Sequence, residues 1–268
     1  MADDYLATGF RNVDDSDDFE TFSRCLTLLD SLEYYREYKE RTYRLLELRD
    51  GERILDAGCG LGSDLYRMAE LIAPRGEAVG VDASRRFLDA ARTDPRFGSL
   101  PVRFVQANLR KLPFADETFT RIRIDRVLQH IPLPEEVVAE LTRVLSSGGI
   151  FLTYDNDWSD FHIHSDGDSS VTKSIEKHWT DSFANPSIGT ELPKLFQMCN
   201  LGEIRIDPLQ SVIEDFPTAD AVYNITATLT QLIRNGTIEE SVARDWIDTA
   251  RTGIFRVTLN SYIVTGRK

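Results

Sequence analysis

The chain has 268 residues, a formal net charge of −13 and a pI of about 4.8. This length allows one large domain or two small ones. The negative field repels nucleic acid, and no run of Lys and Arg with interleaved aromatics offsets it. The three cysteines are too widely spaced for a disulfide framework or a C-x-x-C zinc site.

No stretch of the sequence is long and apolar enough to span a membrane, and the first residues lack the pattern of a signal peptide. We therefore expect a cytoplasmic protein without a resident metal or a nucleic-acid partner, and we allow for a homo-oligomer.

The first fifty residues predict a helical extension. Amphipathic segments run from Phe19 to about Leu48, and Asp50-Gly51 closes them. Residues 1–18 are polar, and a charge run of this kind usually forms a solvated face. The acids assigned to that face are Asp14, Asp15, Asp17, Asp18 and Glu20.

Strands and helices then alternate up to residue 155. The predicted strands are Arg53–Asp56, Ala78–Asp82, Val102–Gln106, Arg121–Asp125 and Ile150–Tyr154. The helices between them begin near Asp64, after Ser84 as N-cap, and at Pro134. This alternation predicts an α/β fold, with a doubly wound, mostly parallel sheet.

The alternation stops after Asp155. We expect a polar segment over residues 156–170, helices to Phe183 and over 188–199, and a strand over 203–206. Two helices split at Asn235-Gly236 then precede a last strand, Phe255–Val264. We therefore predict one domain with an extension (1–50), a cofactor-binding half (51–155), a helical cap that forms the substrate region (156–252) and a final strand (253–268).

A glycine-rich turn follows the first strand, with Asp56 ahead of Gly58, Gly60 and Gly62. The dinucleotide fingerprint G-x-G-x-x-G would place its third glycine at residue 63, which is Ser, and the Gly-Lys-Ser/Thr of a P-loop is missing. A tight turn without a ligand is the structural alternative.

The run Asp56-Ala57-Gly58-Cys59-Gly60-Leu61-Gly62 resembles the first motif, D/E-x-G-x-G-x-G, of the class I S-adenosylmethionine-dependent methyltransferases. Two later segments, 106–119 and 143–149, also resemble this family, most of all its ubiquinone/menaquinone-biosynthesis type. The resemblance covers about residues 50–155 and implies a Rossmann-like sheet of seven strands with the last one antiparallel. Asn108 stands where the family has Asp, and Ser147 where it has Pro.

The resemblance assigns S-adenosylmethionine to the carboxyl ends of these strands. The implied cofactor-binding residues are Asp56, Ala57, Gly58, Gly60, Gly62, Asp82, Ala83, Asn108, Leu109 and Arg126. In this interpretation Asp56 orients the amino-acid half, Asp82 binds the ribose diol and Asn108 accepts from adenine. Asp82 could instead cap the next helix.

His130 is the candidate general base, because histidine titrates near neutral pH. A purely structural role, holding its loop by a hydrogen bond, is the alternative. Trp158 and His162, with His130, are predicted to line the acceptor pocket. Trp179, Phe183 and Trp246 are expected in the core. A metal site built from His162, His164, Asp155 and Asp157 is disfavoured.

The function implied by the resemblance is S-adenosylmethionine-dependent methylation of a small, partly apolar molecule at carbon, oxygen or nitrogen. Two alternatives remain open at this stage. One is a nicotinamide-dependent oxidoreductase, which would share the first strand and Asp82. The other is a cofactor-binding member without methyltransferase activity.

Overall fold

The computed structural model describes Phe10, residues 13–15 and residues 19–268. Asp17 and Asp18, assigned above to a solvated face, lie outside the described residues. The α-helices are Phe19–Ser31 (α1), Glu33–Leu45 (α2), Ser63–Ile72 (α3), Arg85–Arg92 (α4), Pro134–Val144 (α5), Ser169–Ser182 (α6), Ile188–Met198 (α7), Phe216–Tyr223 (α8), Ile225–Arg234 (α9) and Glu240–Thr252 (α10). The strands are Arg53–Ala57 (β1), Glu77–Asp82 (β2), Val102–Gln106 (β3), Phe119–Asp125 (β4), Leu145–Ser165 (β5), Gly202–Ile213 (β6) and Phe255–Arg267 (β7).

These strands form one seven-stranded sheet in the order β3-β2-β1-β4-β5-β7-β6. Only β7 runs antiparallel, and it pairs with both β5 and β6. The predicted Rossmann-like fold with an antiparallel last strand is thereby confirmed. The strand order reverses between β1 and β4, which is where an open parallel sheet leaves a crevice for a ligand.

The β1–α3 unit forms because its apolar residues follow two different periods. In β1, Ile54 and Leu55 are both fully buried, as expected for a central parallel strand covered on both faces. In α3, the buried positions Leu65, Met68 and Ile72 recur at helical spacing and pack on the sheet. The change of period leaves residues 58–62 as the only linker, at the strand end that faces the crevice.

The expectation of a polar segment over residues 156–170 is wrong for residues 156–165. Strand β5 continues to Ser165, and His162 pairs with Thr258 of β7 beyond an irregularity in the register. Phe161 and Ile163 point inward while His162 and His164 are exposed. This period of two marks a half-buried strand, although its polar residues by themselves predict a loop.

The remainder of the predicted helical cap also differs in detail. Strand β6 has twelve residues rather than four, and it tolerates Pro208 because it is an edge strand. Residues 216–252 form three helices, because Asn224 at φ 49° separates α8 from α9. Region 156–252 is thus strand and helix together. The division into one domain with additions stays a prediction.

None of the described helices is both long and apolar enough to cross a membrane.

Candidate active site

A cavity of about 700 Å³ opens at the carboxyl ends of the strands, near the switch point. One side is formed by the glycine turn and by the residues that follow β2 and β3. The other side is formed by aromatic residues of β5, α6 and α8. The predicted residues on its lining are Gly58, Gly60, Asp82, Ala83, Asn108, Leu109, Arg126, His130 and Trp158.

The glycine turn brings backbone, rather than side chains, to the cavity. Gly58 has φ +75°, and a Cβ there would lie 2.3 Å from Cγ2 of Val127. The N–H groups of Gly58 and Cys59 both donate to the carbonyl of Val81, at 2.7 and 3.0 Å. The turn is therefore fixed to the end of β2 and packed against the loop after β4, with no space for a side chain at residue 58.

Asp82 faces the cavity from the end of β2. Its carboxylate accepts from the N–H groups of Gly60 at 2.9 Å and Ser84 at 2.8 Å. Burial raises the pKa of this carboxyl, while the backbone hydrogen bonds oppose the rise. Helix α4 is capped by Ser84, whose hydroxyl accepts from Phe87 N. The alternative role for Asp82, as that cap, is thus filled by its neighbour.

Asp14 is exposed, as expected for a solvated face, and it also makes specific contacts at the start of α4. It accepts from the hydroxyl of Ser84 at 2.6 Å and from the N–H groups of Arg85 and Arg86. The first turn of a helix favours a carboxylate, because its N–H groups have no partner within the helix. Asp14 thus ties the chain near Phe10, which lines the cavity, to the helix beside Asp82.

Asn108 and Leu109 form the cavity edge beyond β3. The Asn108 side-chain oxygen accepts from Arg110 N at 2.9 Å, so it closes its own turn. One lone pair of that oxygen remains for a ligand, and a carboxamide also offers N–H donors that an aspartate would lack.

The loop after β4 carries Arg126, Gln129 and His130 on the cavity lining. Arg126 has φ 55°, and its Nε donates to Asp125 at 2.8 Å. Its guanidinium lies 5.2 Å from the ring centroid of Tyr35, within cation–π range. Arg126 therefore spans the gap between β4 and the N-terminal helices and closes that side of the cavity.

Gln129 is a site residue that sequence reasoning missed. It is 5% exposed, its side-chain oxygen accepts from Trp158 Nε1 at 2.9 Å, and its side-chain nitrogen lies 3.1 Å from His130 Nε2. The Asp155 carboxylate accepts from the N–H groups of Leu128 and Gln129. The sequence signal for Gln129 was weak, because it consisted only of an amide side chain next to the candidate histidine.

The far wall of the cavity is aromatic. Trp158 stacks on Phe183 at 4.2 Å between centroids and on Trp179 at 5.1 Å. Trp179 and Phe183, expected in the core only, also line the cavity with Tyr223, whereas Trp246 is core as predicted. This wall favours a flat or apolar ligand.

The prediction that His162 lines the pocket is wrong. Its side chain is 63% exposed, with Nε2 3.0 Å from Asp160, because strand alternation points it away from Phe161 and the core. The described residues contain no group of His, Cys, Asp and Glu that could hold a metal ion.

Asp56, Ala57 and Gly62 lie beneath the cavity surface instead of on its lining, so their contact with a cofactor stays a prediction. Asp56 pairs with the buried Arg123 at 3.3 Å, and Arg123 also pairs with Asp64 at 3.2 Å and Asp125 at 2.5 Å. Sequence reasoning missed Arg123, although an arginine inside a buried strand was the available signal.

Two carboxyl groups of this network have pKa values that are shifted in opposite directions. Burial raises the pKa of Asp56 to about 7, against the attraction of Arg123. Burial also opposes ionisation of Asp64, but Arg123 and Lys39 hold the pKa of that carboxyl well below its usual range. Lys39 lies 3.0 Å from Asp64 and so joins α2 to the network under the glycine turn.

The family follows from the match to a known domain. The family model described as "Methyltransferase domain" matches residues 48–200, more than half of the chain. The chain belongs to the class I S-adenosylmethionine-dependent methyltransferases. This matched range contains the glycine turn, Asp82, Asn108 and the His130 loop, which are the elements that form the cavity.

Similar proteins are consistent with the assignment of this chain to the methyltransferase family. An uncharacterized 37.1 kDa protein in transposon TN4556 of Streptomyces fradiae is 31% identical over 87% of this chain and 67% of its own length. The demethylmenaquinone methyltransferase of Bacillus pumilus is 28% identical over 45% of this chain, which spans about half (52%) of that enzyme. The YcgJ protein of Bacillus subtilis shares the fold, with a TM-score of 0.64, 20% identity, and coverage of 87% of this chain and 98% of its own.

The cavity of the methyltransferase fits S-adenosylmethionine, its cofactor. The backbone of the glycine turn reaches the cavity at Gly58 and Gly60, and the Asp82 carboxylate offers acceptors for a ribose diol. Asn108 and Leu109 would hold the adenine. The turn has no lysine or arginine for a pyrophosphate, which fits a cofactor that lacks one.

Asp56→Asn is expected to flatten the pH dependence of methyltransferase stability between roughly pH 4 and 7. The folded-state pKa of Asp56 is raised from 3.8 to about 7, so its contribution is present at low pH and lost as pH rises through 7. Asparagine does not titrate. Urea unfolding across this range measures the slope. Asp50→Asn is the control, because the Arg75 hydrogen bond lowers the pKa of that exposed carboxyl. A wild-type slope in Asp56→Asn would contradict the prediction.

Proposed function

We propose that this methyltransferase transfers the methyl group of S-adenosylmethionine to a small, partly apolar acceptor. One observation carries the proposal: a single cavity contains both the predicted cofactor residues Gly58, Asp82 and Asn108 and an aromatic wall formed by Trp158 and Phe183. A ligand at the glycine turn and a second one at the wall would share this space. The Bacillus pumilus relative is named a demethylmenaquinone methyltransferase, and this name supports an acceptor with apolar character.

The protein has to position the reactants and exclude water. When bound, S-adenosylmethionine supplies an electrophilic methyl group. Holding two reactants in line can lower a barrier by about 7–11 kcal/mol. Here the Gly58 turn and Asp82 would orient one ligand, while Trp158, Trp179 and Phe183 would orient the other. Leu26 and Leu29 of α1 also line the cavity and would keep water from it.

The test is parallel calorimetric titration with S-adenosylmethionine, S-adenosylhomocysteine and NADH. We expect micromolar binding of the first two and no heat with NADH. Asp82→Ala should weaken both by about 10- to 100-fold, because it removes the diol acceptor and the anchor of Gly60 N. Binding of NADH alone would favour the oxidoreductase alternative, which no comparison supports.

The remaining expectations stay predictions. Cys25, Cys59 and Cys199 are free, which supports a reducing compartment such as the cytoplasm. The charge of −13 supports the absence of a nucleic-acid partner. Size-exclusion chromatography with light scattering would test for the homo-oligomer.

A further inference from the structure

The orientation of the Gln129 amide is fixed by its neighbours. Trp158 Nε1 is a donor only and lies 2.9 Å from the Gln129 oxygen. Asn156 Nδ2, which is also a donor, approaches the same oxygen at 3.4 Å. The oxygen therefore faces Trp158, and the Gln129 nitrogen must face His130.

This orientation decides which nitrogen of His130 carries its proton. The Gln129 nitrogen lies 3.1 Å from His130 Nε2, and an amide nitrogen can only donate. His130 Nε2 must then be the acceptor, so a neutral ring carries its proton on Nδ1. Gln129 is 5% exposed, which leaves little room for water to replace this contact.

We propose that Gln129 is a positioning residue that holds His130 as the Nδ1–H tautomer and keeps it from acting as a general base. Protonation of Nε2 would bring two donors face to face, at a site where Trp158 prevents the amide from turning. The catalytic meaning of this inference rests on the proposed function, whereas the tautomer itself does not.

The backbone around Gln129 is fixed from two further sides. Asp155 accepts from the Gln129 N–H, and the Gln129 carbonyl accepts from Asn185 N at 3.1 Å. The His130 ring packs between Phe10 and Phe183, with centroid distances of 6.1 and 5.3 Å. The pair is therefore held as a unit on the cavity lining, between the glycine turn and the aromatic wall.

The tautomer restricts the class of acceptor. An alcohol that must lose its proton in the transfer would need a base, and the His130 Nε2 lone pair is occupied. The site instead fits an acceptor whose attacking atom already has a free lone pair or a negative charge at neutral pH, such as an aromatic amine, a thiolate or an enolate. The His130 ring would then form part of the acceptor wall beside Phe183.

The experiment is nitrogen NMR of the full chain labelled at histidine, recorded at mildly alkaline pH. The chain has four histidines, and His130→Gln identifies the signal of interest. We expect a pyrrole-type shift at Nδ1 and a pyridine-type shift at Nε2. In Gln129→Glu a carboxylate oxygen would accept from the ring, so the two shifts should exchange.

Gln129→Met is the second variant, in case a buried glutamate prevents folding. It keeps the side-chain volume but removes the donor, so His130 should return toward the Nε2–H form that free histidine prefers. His162→Gln should leave the His130 shifts unchanged, because His162 is exposed. A wild-type Nε2–H tautomer, or unaltered shifts in both Gln129 variants, would overturn the inference. Failure of S-adenosylmethionine to bind would overturn the proposed function and leave the tautomer result standing.

Discussion

Gly58→Ala is expected to weaken the binding of S-adenosylmethionine by about 10- to 100-fold, and Gly58→Val to abolish it. The new Cβ would lie 2.3 Å from Val127 Cγ2, so the glycine turn or the loop after β4 has to move. The residue also has φ +75°, which costs an L-residue about 1–2 kcal/mol. Calorimetric titration of the purified variants measures the affinity, where each 1.4 kcal/mol corresponds to about tenfold.

The control for Gly58→Ala is Gly236→Ala. Gly236 has φ +76°, almost the same backbone conformation, but nothing lies within 4 Å of its added Cβ. Gly236→Ala should lose about 1–2 kcal/mol of folding free energy. Gly58→Ala should lose more because of its clash with Val127, and only Gly58→Ala should lose affinity. Val127→Ala combined with Gly58→Ala removes the clashing methyl groups and should restore part of the binding. Equal affinities of Gly58→Ala and Gly236→Ala would show that the close packing at residue 58 does not matter.

Arg123→Met is expected to lower the free energy of unfolding by about 3–5 kcal/mol, because the carboxylates of Asp56, Asp64 and Asp125 lose a shared cation. The Arg123 side chain is 1% exposed, and its ion pairs are 2.5–3.3 Å long. Lys39 and Arg126 would remain beside Asp64 and Asp125, but Asp56 would keep no partner among its described ion pairs. Urea unfolding at neutral pH measures the loss.

Arg103→Met is the matched control for Arg123→Met. Arg103 lies on β3 and pairs with Glu77 at 3.2 Å, but both side chains are more than a third exposed. Exposed pairs of this kind contribute about 0–1 kcal/mol, so this variant should remain near wild-type stability. Arg123→Lys should fall between wild type and Arg123→Met, because a single ammonium cannot replace a guanidinium that contacts three carboxylates. A loss below about 1 kcal/mol in Arg123→Met would contradict this account.

The aromatic wall illustrates how far the candidate site was predictable. Trp158 is predicted to line the acceptor pocket, and the structure places it on the cavity lining. Trp179 and Phe183 are predicted in the core but also line the cavity. Helical periodicity shows that a face is buried and does not show what lies against it. Whether that face meets a core or a cavity depends on where α6 docks. The prediction for His162 was wrong for a related reason. The continuation of β5 beyond the predicted strand determines the direction of its side chain.

The sequence by itself determined the features that depend on neighbouring residues. The glycine turn, the strand ends at Asp82 and Asn108, and Ser84 as the cap of α4 were all readable, because period, turn chemistry and capping act over a few positions. The strand count followed from the same local patterns together with the family resemblance.

Only the tertiary structure decided the contacts between distant segments. The far half of β5 exists because β7 pairs with it almost a hundred residues later in the chain. Arg123 can be buried in β4 because it forms ion pairs with Asp56 of β1 and Asp64 of α3. Gln129 has a defined role because Trp158 donates to it. Hydrogen bonds and ion pairs are directional and short-ranged, so a one-dimensional pattern shows which groups could form them but not which ones meet.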